Sequence, residues 1–397
     1  MKRLASLDAL RGFDMFWIMG GEGLACAVAA LFGFTEFEES FGHVPWTGLQ
    51  FMDTVFPTFL FMAGVSFPFS CAKSIEKGLS RGRIALKALR RGLTLVALGI
   101  LYNGFLRSLD LETFRIPSVL GYIGFGWMCA AFIYLYVKRV WARIGIAVGI
   151  LAAVTLFFGL VTAPDAADTL AKIAAASGGE NPVWWAKLYA PFGDAPFSPA
   201  NHFGCYLDRM ILGKHALGPI FDNEGFGGLL PTIVTAMLGM FAGEIVRRGN
   251  AGATGRKALQ LLGAAAGCLV SGLALSLYYP IIKNVWSPSF VLVVASYSFA
   301  MFALFYWIID VKGCSRWSFF FRVIGMNSIT IYLAQEIISF RHAQGFFLGG
   351  VEKMLKKAAV ESPAMADVNQ LVIWTGYTAL CWLFLYFLYK KNVFLKV

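Results

Sequence analysis

Residues 41–66 read FGHVPWTGLQFMDTVFPTFLFMAGVS, and this stretch decides the class of fold. Its second half is apolar enough to belong to a membrane helix, which needs about 20 mostly apolar residues. Yet His43 stands just before the apolar run and Asp53 lies inside it. Ionisable side chains are costly within a bilayer, so these two indicate a polar or functional surface.

The composition of the whole chain extends this pattern. Of its 397 residues, 58% are hydrophobic and 14% are charged, whereas a soluble domain carries about 25% charged residues. We therefore predict an all-α polytopic membrane protein in which about ten transmembrane helices form one bundle and residues 1–397 form a single domain. The predicted spans lie near 12–33, 51–71, 89–106, 117–137, 143–163, 229–246, 258–279, 288–309, 319–339 and 368–389.

The distribution of cations predicts the orientation of this bundle. Most of the 34 Lys and Arg residues lie on the side that holds the N-terminus, and cytoplasmic loops are the ones enriched in cations. Both termini are thus expected in the cytoplasm, and the net charge of +11 is a topology signal rather than a nucleic-acid-binding surface. The seven cysteines are scattered without a CxxC motif or a Cys/His cluster, so we expect no metal site.

The longest segment between predicted spans covers residues 164–228, on the outer side. A loop of this length without regular structure is usually functional or disordered, and its Trp and Tyr residues argue against disorder. We therefore expect an ordered cap. Asp208, Arg209 and Glu224 lie in this cap close to the membrane, where an Asp–Arg pair and a helix N-cap are alternative roles for them.

Further polar residues in or near the spans are candidates for a cavity lining. Glu22 lies deep in the first span, and Asn327, in the ninth, serves either helix packing or a cavity. Trp46, between His43 and Asp53, is most simply an interfacial residue. An aspartate that contacts a histidine can hold its tautomer and stabilise the imidazolium, which is the arrangement a general base needs.

The first inner loop and the start of the next span carry a group of cations. Five of them are candidate phosphate ligands: Arg81, Arg83, Lys87, Arg90 and Arg91. Positive-inside bias and contact with lipid headgroups also explain the group. The chain has neither GxxxxGK[ST] nor GxGxxG at a strand–helix turn, so no ordinary nucleotide-binding fold is encoded.

Seven stretches that together span nearly the whole chain carry a resemblance. They read RLASLDALRGFDMFWIM, HVPWTGLQFMDTVFPTFLFMAGVS, FRIPSVLGYIGF, GCYLDRMILG, FDNEGFGGLLPTIVTAMLGMFAGEI, IIKNVWSPSFVL and GMNSITIYLAQE. In this order they resemble the transmembrane acetyltransferases related to heparan-alpha-glucosaminide N-acetyltransferase, particularly their bacterial relatives. The resemblance implies transfer of an acetyl group from acetyl-CoA, supplied from the cytoplasm, to the amine of a glucosamine-type sugar on the other side.

The resemblance also implies roles for particular residues. His43 matches the essential histidine of the family, and Asp53 matches its aspartate ahead of V-F-P. The outer side of the reaction chamber would contain Asp208, Arg209, Asp222 and Glu224. This chain departs from relatives of the lysosomal enzyme at IMGGEGL and GYIG. We also expect no counterpart of their large lumenal N-terminal domain, which favours a small amino sugar over polymeric heparan as the substrate.

The resulting hypothesis is a transmembrane acyltransferase domain that acetylates glucosamine or a related small amino sugar in a ternary complex, with His43 as general base and Asp53 orienting it. An acetyl-histidine intermediate is the alternative mechanism. The alternative functions are another acyltransferase, an amino-sugar or lipid-linked sugar transporter, and a membrane scaffold. The candidate substrate-binding residues are Glu22, Trp46, Asp208, Arg209, Glu224 and Asn327, and the five cations named above would hold the phosphates of acetyl-CoA.

The expected surroundings follow from the same hypothesis. The partners would be an amino sugar, the lipid bilayer and a second copy of the chain in a homodimer, with no nucleic acid and no metal. The expected location is the bacterial inner membrane.

Overall fold

The computed structural model describes residues 4–34, 36–178, 182–248, 253–360, 362 and 364–395. Among these residues the regular structure is helical, and the only β-pairing is two isolated bridges. The helices are α1 (Ala5–Phe16), α2 (Glu22–Leu31), α3 (Phe37–Phe41), α4 (Phe51–Glu76), α5 (Arg81–Tyr102), α6 (Phe105–Ser108), α7 (Val119–Tyr136), α8 (Val140–Leu160), α9 (Ala166–Ser177), α10 (Trp184–Tyr189), α11 (Phe203–Ile211), α12 (Leu229–Arg247), α13 (Gly255–Ser276), α14 (Pro288–Phe305), α15 (Phe319–Met326), α16 (Ser328–Ile337), α17 (Phe340–Ala358) and α18 (Ala364–Lys390).

Eight helical segments of the described chain are long and apolar enough to cross a membrane, which confirms an all-α polytopic membrane protein. Each of the eight overlaps one of the ten predicted spans. They are Ala5–Leu31, Phe51–Glu76, Val119–Tyr136, Val140–Leu160, Phe226–Arg247, Gly255–Ser276, Pro288–Val311 and Ala364–Lys390.

The other two predicted spans differ in ways that the residues explain, so a count of ten is not confirmed. The prediction at 89–106 falls in α5, whose first half carries the five cations and lowers its apolar character. The prediction at 319–339 falls on two short helices, because the chain breaks between α15 and α16 at Asn327, with φ −130° and ψ 31°. The structure also contains α17, a helix that was not among the predicted spans.

Helix α4 lies at the centre of the bundle and packs most closely against α12. The close approach depends on glycine: a Cβ atom on Gly64 would lie 2.2 Å from the Ala236 carbonyl oxygen, and one on Gly239 would lie 2.0 Å from the Phe61 carbonyl oxygen. Small residues that let helix backbones approach are the usual means of packing in membranes, where lipid removes most of the hydrophobic drive. The start of α4 is thereby held at one end of the bundle, here called the cavity end.

The described part of residues 164–228 forms a cap over the cavity end. It contains α9, α10 and α11. Its apolar core includes Tyr189 and Phe221 from the cap together with Trp46 and Tyr279 from segments flanking the bundle. Because bundle and cap share this core, the cap has a fixed position above the start of α4.

Candidate active site

A cavity of about 460 Å³ lies between the cap and the cavity end of the bundle. Its walls come from seven separate parts of the chain, which is typical of a ligand site at the junction of two layers. The lining residues include Ile18, His43, Val44, Phe56, Val119, Trp184, Trp185, Asn223, Glu224, Lys283, Asn284 and Tyr332. The cavity therefore combines aromatic and apolar walls with a few ionisable groups.

The N-terminus of α4 positions Asp53 at this cavity. Gln50 precedes the helix, and its backbone N–H donates to Asp53 Oδ2 at 3.0 Å, as in a capping box. The backbone N–H of Val44 donates to the same oxygen at 3.3 Å. The carboxylate is completely buried, and its second oxygen, Oδ1, is left for side-chain partners.

Two side chains meet at Asp53 Oδ1. His43 Nδ1 lies 2.6 Å from this oxygen, and Lys283 Nζ lies 3.0 Å from it. Lys283 Nζ is also 2.9 Å from His43 Nδ1. The structure thus brings together the two residues that the sequence pointed to and adds an ammonium group that the sequence analysis did not identify.

The proton arrangement at this triad follows from donor chemistry. A lysine ammonium only donates, and a carboxylate only accepts. If His43 Nδ1–H and Lys283 both donate to Asp53, the imidazole keeps its lone pair on Nε2. The imidazole side chain is about half exposed, so a base at Nε2 is accessible from the cavity.

Backbone pairing between two loops explains why Lys283 reaches His43. Gly48 N–H donates to the Ile281 carbonyl at 2.9 Å, and Thr47 forms an isolated bridge with Ile282. Gly48 has φ +117°, a conformation that favours glycine. This short pairing holds residue 283 beside the loop that carries His43.

A second charged group lies on another wall of the cavity. Arg115 forms a bidentate pair with Asp222, with N–O distances of 2.9 and 2.6 Å, and also contacts Glu224. Burial alone would lower the pKa of Arg115, but the two carboxylates raise it overall. Burial raises the pKa of Glu224 despite the opposing effect of Arg115. Glu224 thus lines the cavity while its side chain is held in place by Arg115.

Asp208 and Arg209 hold the cap together instead of lining the cavity described here. Asp208 accepts the backbone N–H groups of Asp222 at 3.2 Å and Phe226 at 2.6 Å, which fixes the loop that carries Glu224. Burial raises the pKa of Asp208 to about 7. Arg209 pairs with a different residue, Asp165, at 2.8 and 2.6 Å.

The other three candidate substrate ligands also lie away from the cavity lining that the described residues form. Trp46 is buried in the cap core and donates from Nε1 to the Phe197 carbonyl at 2.8 Å, so it is not an interfacial residue. Asn327 is buried at the α15–α16 break and donates to the Val393 carbonyl at 3.0 Å. Glu22 begins α2 and is half-buried.

The candidate phosphate ligands lie at the opposite end of the bundle from His43. Helix α4 separates the two ends by about 39 Å, from 26 residues at 1.5 Å each. Four of the five cations are exposed: Arg81, Arg83, Lys87 and Arg90. Arg91 is half-buried, and its guanidinium lies 4.4 Å from the centre of the Trp127 ring.

An apolar slot extends from the cavity into the bundle. The slot has a volume of about 50 Å³ and shares four lining residues with the cavity: Ile18, Phe56, Val119 and Tyr332. Met15, Phe59 and Ile123 line its deeper part. Among the described residues no group of three or more His, Cys, Asp or Glu could hold a metal ion.

Sequence reasoning missed Lys283 and Arg115, although both lie within the stretches that carry the resemblance, IIKNVWSPSFVL and FRIPSVLGYIGF. Both lie in segments between predicted spans, where a lysine or arginine normally indicates only topology. A cation on the otherwise cation-poor outer side was the available signal.

Comparison with known proteins finds one family model and two relatives that match this chain. Residues 3–192 match the family model described as Heparan-alpha-glucosaminide N-acetyltransferase, catalytic. The chain is 26% identical over 436 residues to heparan-alpha-glucosaminide N-acetyltransferase of Mus musculus, covering 100% of this chain and 61% of the relative. It is 27% identical over 404 residues to the Homo sapiens protein of the same name, covering 90% of this chain and 56% of the relative.

The chain thus spans about three fifths of the length of these curated relatives. The family-model match includes α1 to α10 and therefore both His43 and Asp53. Over the matched region, the chain is similar to the family of heparan-alpha-glucosaminide N-acetyltransferase.

Proposed function

We propose that this protein transfers the acetyl group of acetyl-CoA to the amine of glucosamine or a related small amino sugar. The observation that carries the proposal is the contact of His43 with a buried Asp53 at an open cavity, at 2.6 Å. The names of the relatives support the reaction class.

The chemistry requires a base because a sugar ammonium cannot attack a thioester. Once the sugar ammonium has released one proton to solvent, its nitrogen attacks the thioester carbonyl carbon, a C–N bond forms and the C–S bond breaks. His43 Nε2 accepts the second amine proton and delivers it to the departing CoA sulfur, so the products are an amide and a free thiol. A base held in one tautomer by a carboxylate contributes about 10²–10⁴ to such a rate.

The acceptor sugar would bind between the cap and the Arg115 network. Glu224 offers a carboxylate for a sugar ammonium or hydroxyl, and Trp184 and Trp185 provide flat apolar surfaces on the same cavity. Sugars commonly need both kinds of contact, because they carry polar edges and less polar faces. The carboxylate is held in place by Arg115, so it can accept hydrogen bonds without being reoriented.

The donor would enter from the other end of the bundle. The slot lined by Met15, Phe59 and Ile123 suits the narrow, uncharged pantetheine arm of acetyl-CoA. The cations at the start of α5 lie on the side where the phosphates would remain, and Arg91 is the most deeply placed of them. We propose that this side is cytoplasmic and that the cavity faces away from the cytoplasm.

The test is release of free thiol by the purified protein when acetyl-CoA and glucosamine are both present. His43→Ala should lower the glucosamine-dependent rate at least 100-fold, in line with the loss of a general base. The matched control is His342→Ala, since His342 is an exposed histidine on α17. An unchanged rate in His43→Ala would overturn the proposal.

Two further outcomes separate the alternatives. Acetylated protein formed from acetyl-CoA alone, and lost in His43→Ala, would assign a covalent acetyl-histidine step in place of direct attack. Glucosamine counterflow in vesicles without any acetyl donor, with no thiol release, would instead identify a transporter.

A further inference from the structure

A second depression opens on the outside of the bundle at its cavity end. It has a volume of about 280 Å³ and lies between the end of α5, the short helix α6 and the end of α16. Its lining is apolar except at one rim, which carries Arg107 and Glu336. The lining residues are Leu98, Leu101, Tyr102, Gly104, Leu106, Arg107, Leu333, Glu336 and Ile337. We call this depression the α5–α16 groove.

The apolar lining of the groove is strongly exposed. Leu106 is 64% exposed and Ile337 is 81% exposed. In a membrane protein such side chains face hydrocarbon, since contiguous apolar surface is avoided in water. The groove is therefore open to the bilayer rather than to the aqueous cavity.

Two stacked tyrosines separate the groove from the active-site cavity. Tyr102 lines the groove, whereas Tyr332 lines both the cavity and the slot. Their rings stack with centres 4.4 Å apart and planes 16° apart. This ring pair thus joins a residue of the groove to a residue of the cavity.

The groove is also tied to the charged wall of the cavity. Asn103, which follows Tyr102, donates from Nδ2 to the carbonyls of Arg115 at 3.1 Å and Pro117 at 2.6 Å. Arg115 in turn holds Glu224, the proposed acceptor ligand. The segment after Tyr102 therefore connects the groove to the wall of the cavity that carries Glu224.

The rim of the groove carries a charge suited to phosphate. Arg107 is 79% exposed and makes one ion pair, to Glu336 at 3.6 Å. Exposed pairs of this kind contribute little to stability, and a guanidinium has five N–H donors arranged for bidentate contact with phosphate. A phosphate at the rim can thus bind Arg107 without dismantling a buried network.

We propose that the α5–α16 groove binds the hydrocarbon chain of a lipid-linked amino sugar, with its phosphate at Arg107 and its sugar entering the cavity past Tyr102 and Tyr332. This inference rests on the proposed acetyl transfer and specifies its acceptor. The groove and the cavity meet at the stacked rings of Tyr102 and Tyr332. A bulk lipid would have no reason to lie at this contact, whereas a lipid-linked acceptor must place its sugar near His43 while its chain stays in the bilayer.

The experiment compares two acceptors, glucosamine and glucosamine 1-(decyl phosphate), with acetyl-CoA as donor. The decyl phosphate compound should have a kcat/KM at least tenfold higher. Ile337→Glu and Arg107→Gln should each remove most of that advantage and leave kcat/KM for glucosamine within twofold. Val360→Glu, at an exposed apolar position away from the groove, is the control and should change neither value.

A binding measurement makes the result independent of turnover. A photoreactive diazirine at the end of the decyl chain should label peptides that contain residues 98–107 or 333–337. Equal labelling by photoreactive decyl phosphate without the sugar would show a general lipid site and overturn the proposal. Equal kcat/KM values for the two acceptors would also overturn it. If neither acceptor were acetylated but the groove were still labelled, the proposed acetyl transfer would be refuted and the proposed binding site would be retained.

Discussion

Replacing Asp53 with asparagine should disable the proposed base while leaving the fold in place. Four donors converge on the two carboxylate oxygens. The backbone N–H groups of Val44 and Gln50 donate to Oδ2, and the side chains of His43 and Lys283 meet Oδ1. An asparagine has one acceptor oxygen and one NH₂ group in place of these two oxygens.

The backbone donors decide which way the amide turns. If the asparagine oxygen keeps the Val44 and Gln50 contacts, its NH₂ group points at His43 Nδ1. That nitrogen must then accept a hydrogen bond, so the imidazole proton moves to Nε2 and the cavity faces an N–H donor in place of a lone pair. Loss of the correct tautomer removes the contribution of the base, about 10²–10⁴ in kcat, which is about 3–5 kcal/mol in the barrier.

The assay is glucosamine-dependent thiol release at saturating acetyl-CoA, measured beside the melting temperature of the purified protein. The matched control is Asp110→Asn, because Asp110 is a partly exposed carboxylate in the loop after α6, outside the cavity lining. We expect Asp53→Asn to lose at least 100-fold in kcat and about 1–2 kcal/mol in stability, since a buried hydrogen bond is lost. A kcat within threefold of the wild-type value would refute the tautomer argument.

Three further predictions concern the network, the cap and the bundle. Arg115→Met should lower the free energy of unfolding by about 3–5 kcal/mol, because two buried carboxylates lose their partner; thermal unfolding measures it. Burial lowers the pKa of His202 to about 3, so between pH 6.5 and 3 the unfolded cap binds a proton that the folded cap does not. As the pH falls through this range, the free energy of unfolding of the cap should decrease by an amount on the order of 5 kcal/mol. Limited proteolysis of the cap checks this, and His202→Gln should remove the dependence. Gly239→Ala should destabilise the bundle, whereas Gly267→Ala, with open space at its Cβ, should not.

The fold could be predicted to the extent that one segment by itself carries the information. Length and hydrophobicity are local properties, so eight predicted spans coincide with helices that meet the requirements of a bilayer. The break at Asn327 could not be seen in this way, because a polar residue within an apolar run is compatible with packing and with a kink. Helix α17 was not predicted because its lysines make the segment too polar to be read as a membrane span.

The site could be predicted only in part, because its contacts join distant segments. His43 and Asp53 are ten residues apart and lie where a titratable group needs an explanation, so their pairing was a natural hypothesis. Lys283 lies 230 residues from Asp53, and it comes near because the loop around Ile281 pairs with the loop around Gly48. Asp208 was nominated as a substrate ligand, yet the backbone donors of Asp222 and Phe226 occupy both of its oxygens.

The support that Asp208 gives to the loop of Glu224 explains how the cap and the bundle act together. Glu224 can act on a substrate only if its loop has one conformation, and Asp208 supplies this by accepting two backbone N–H groups of the same loop. Arg209 and Asp165 in turn fix the helix that carries Asp208 to the start of the cap. The carboxylates and arginines of the cap therefore form a chain of support that ends at the cavity. Burying these charges has a free-energy cost, and the result is that Glu224 is held rigidly at the cavity. The proposed function requires such rigidity, because the site must orient an amine towards His43.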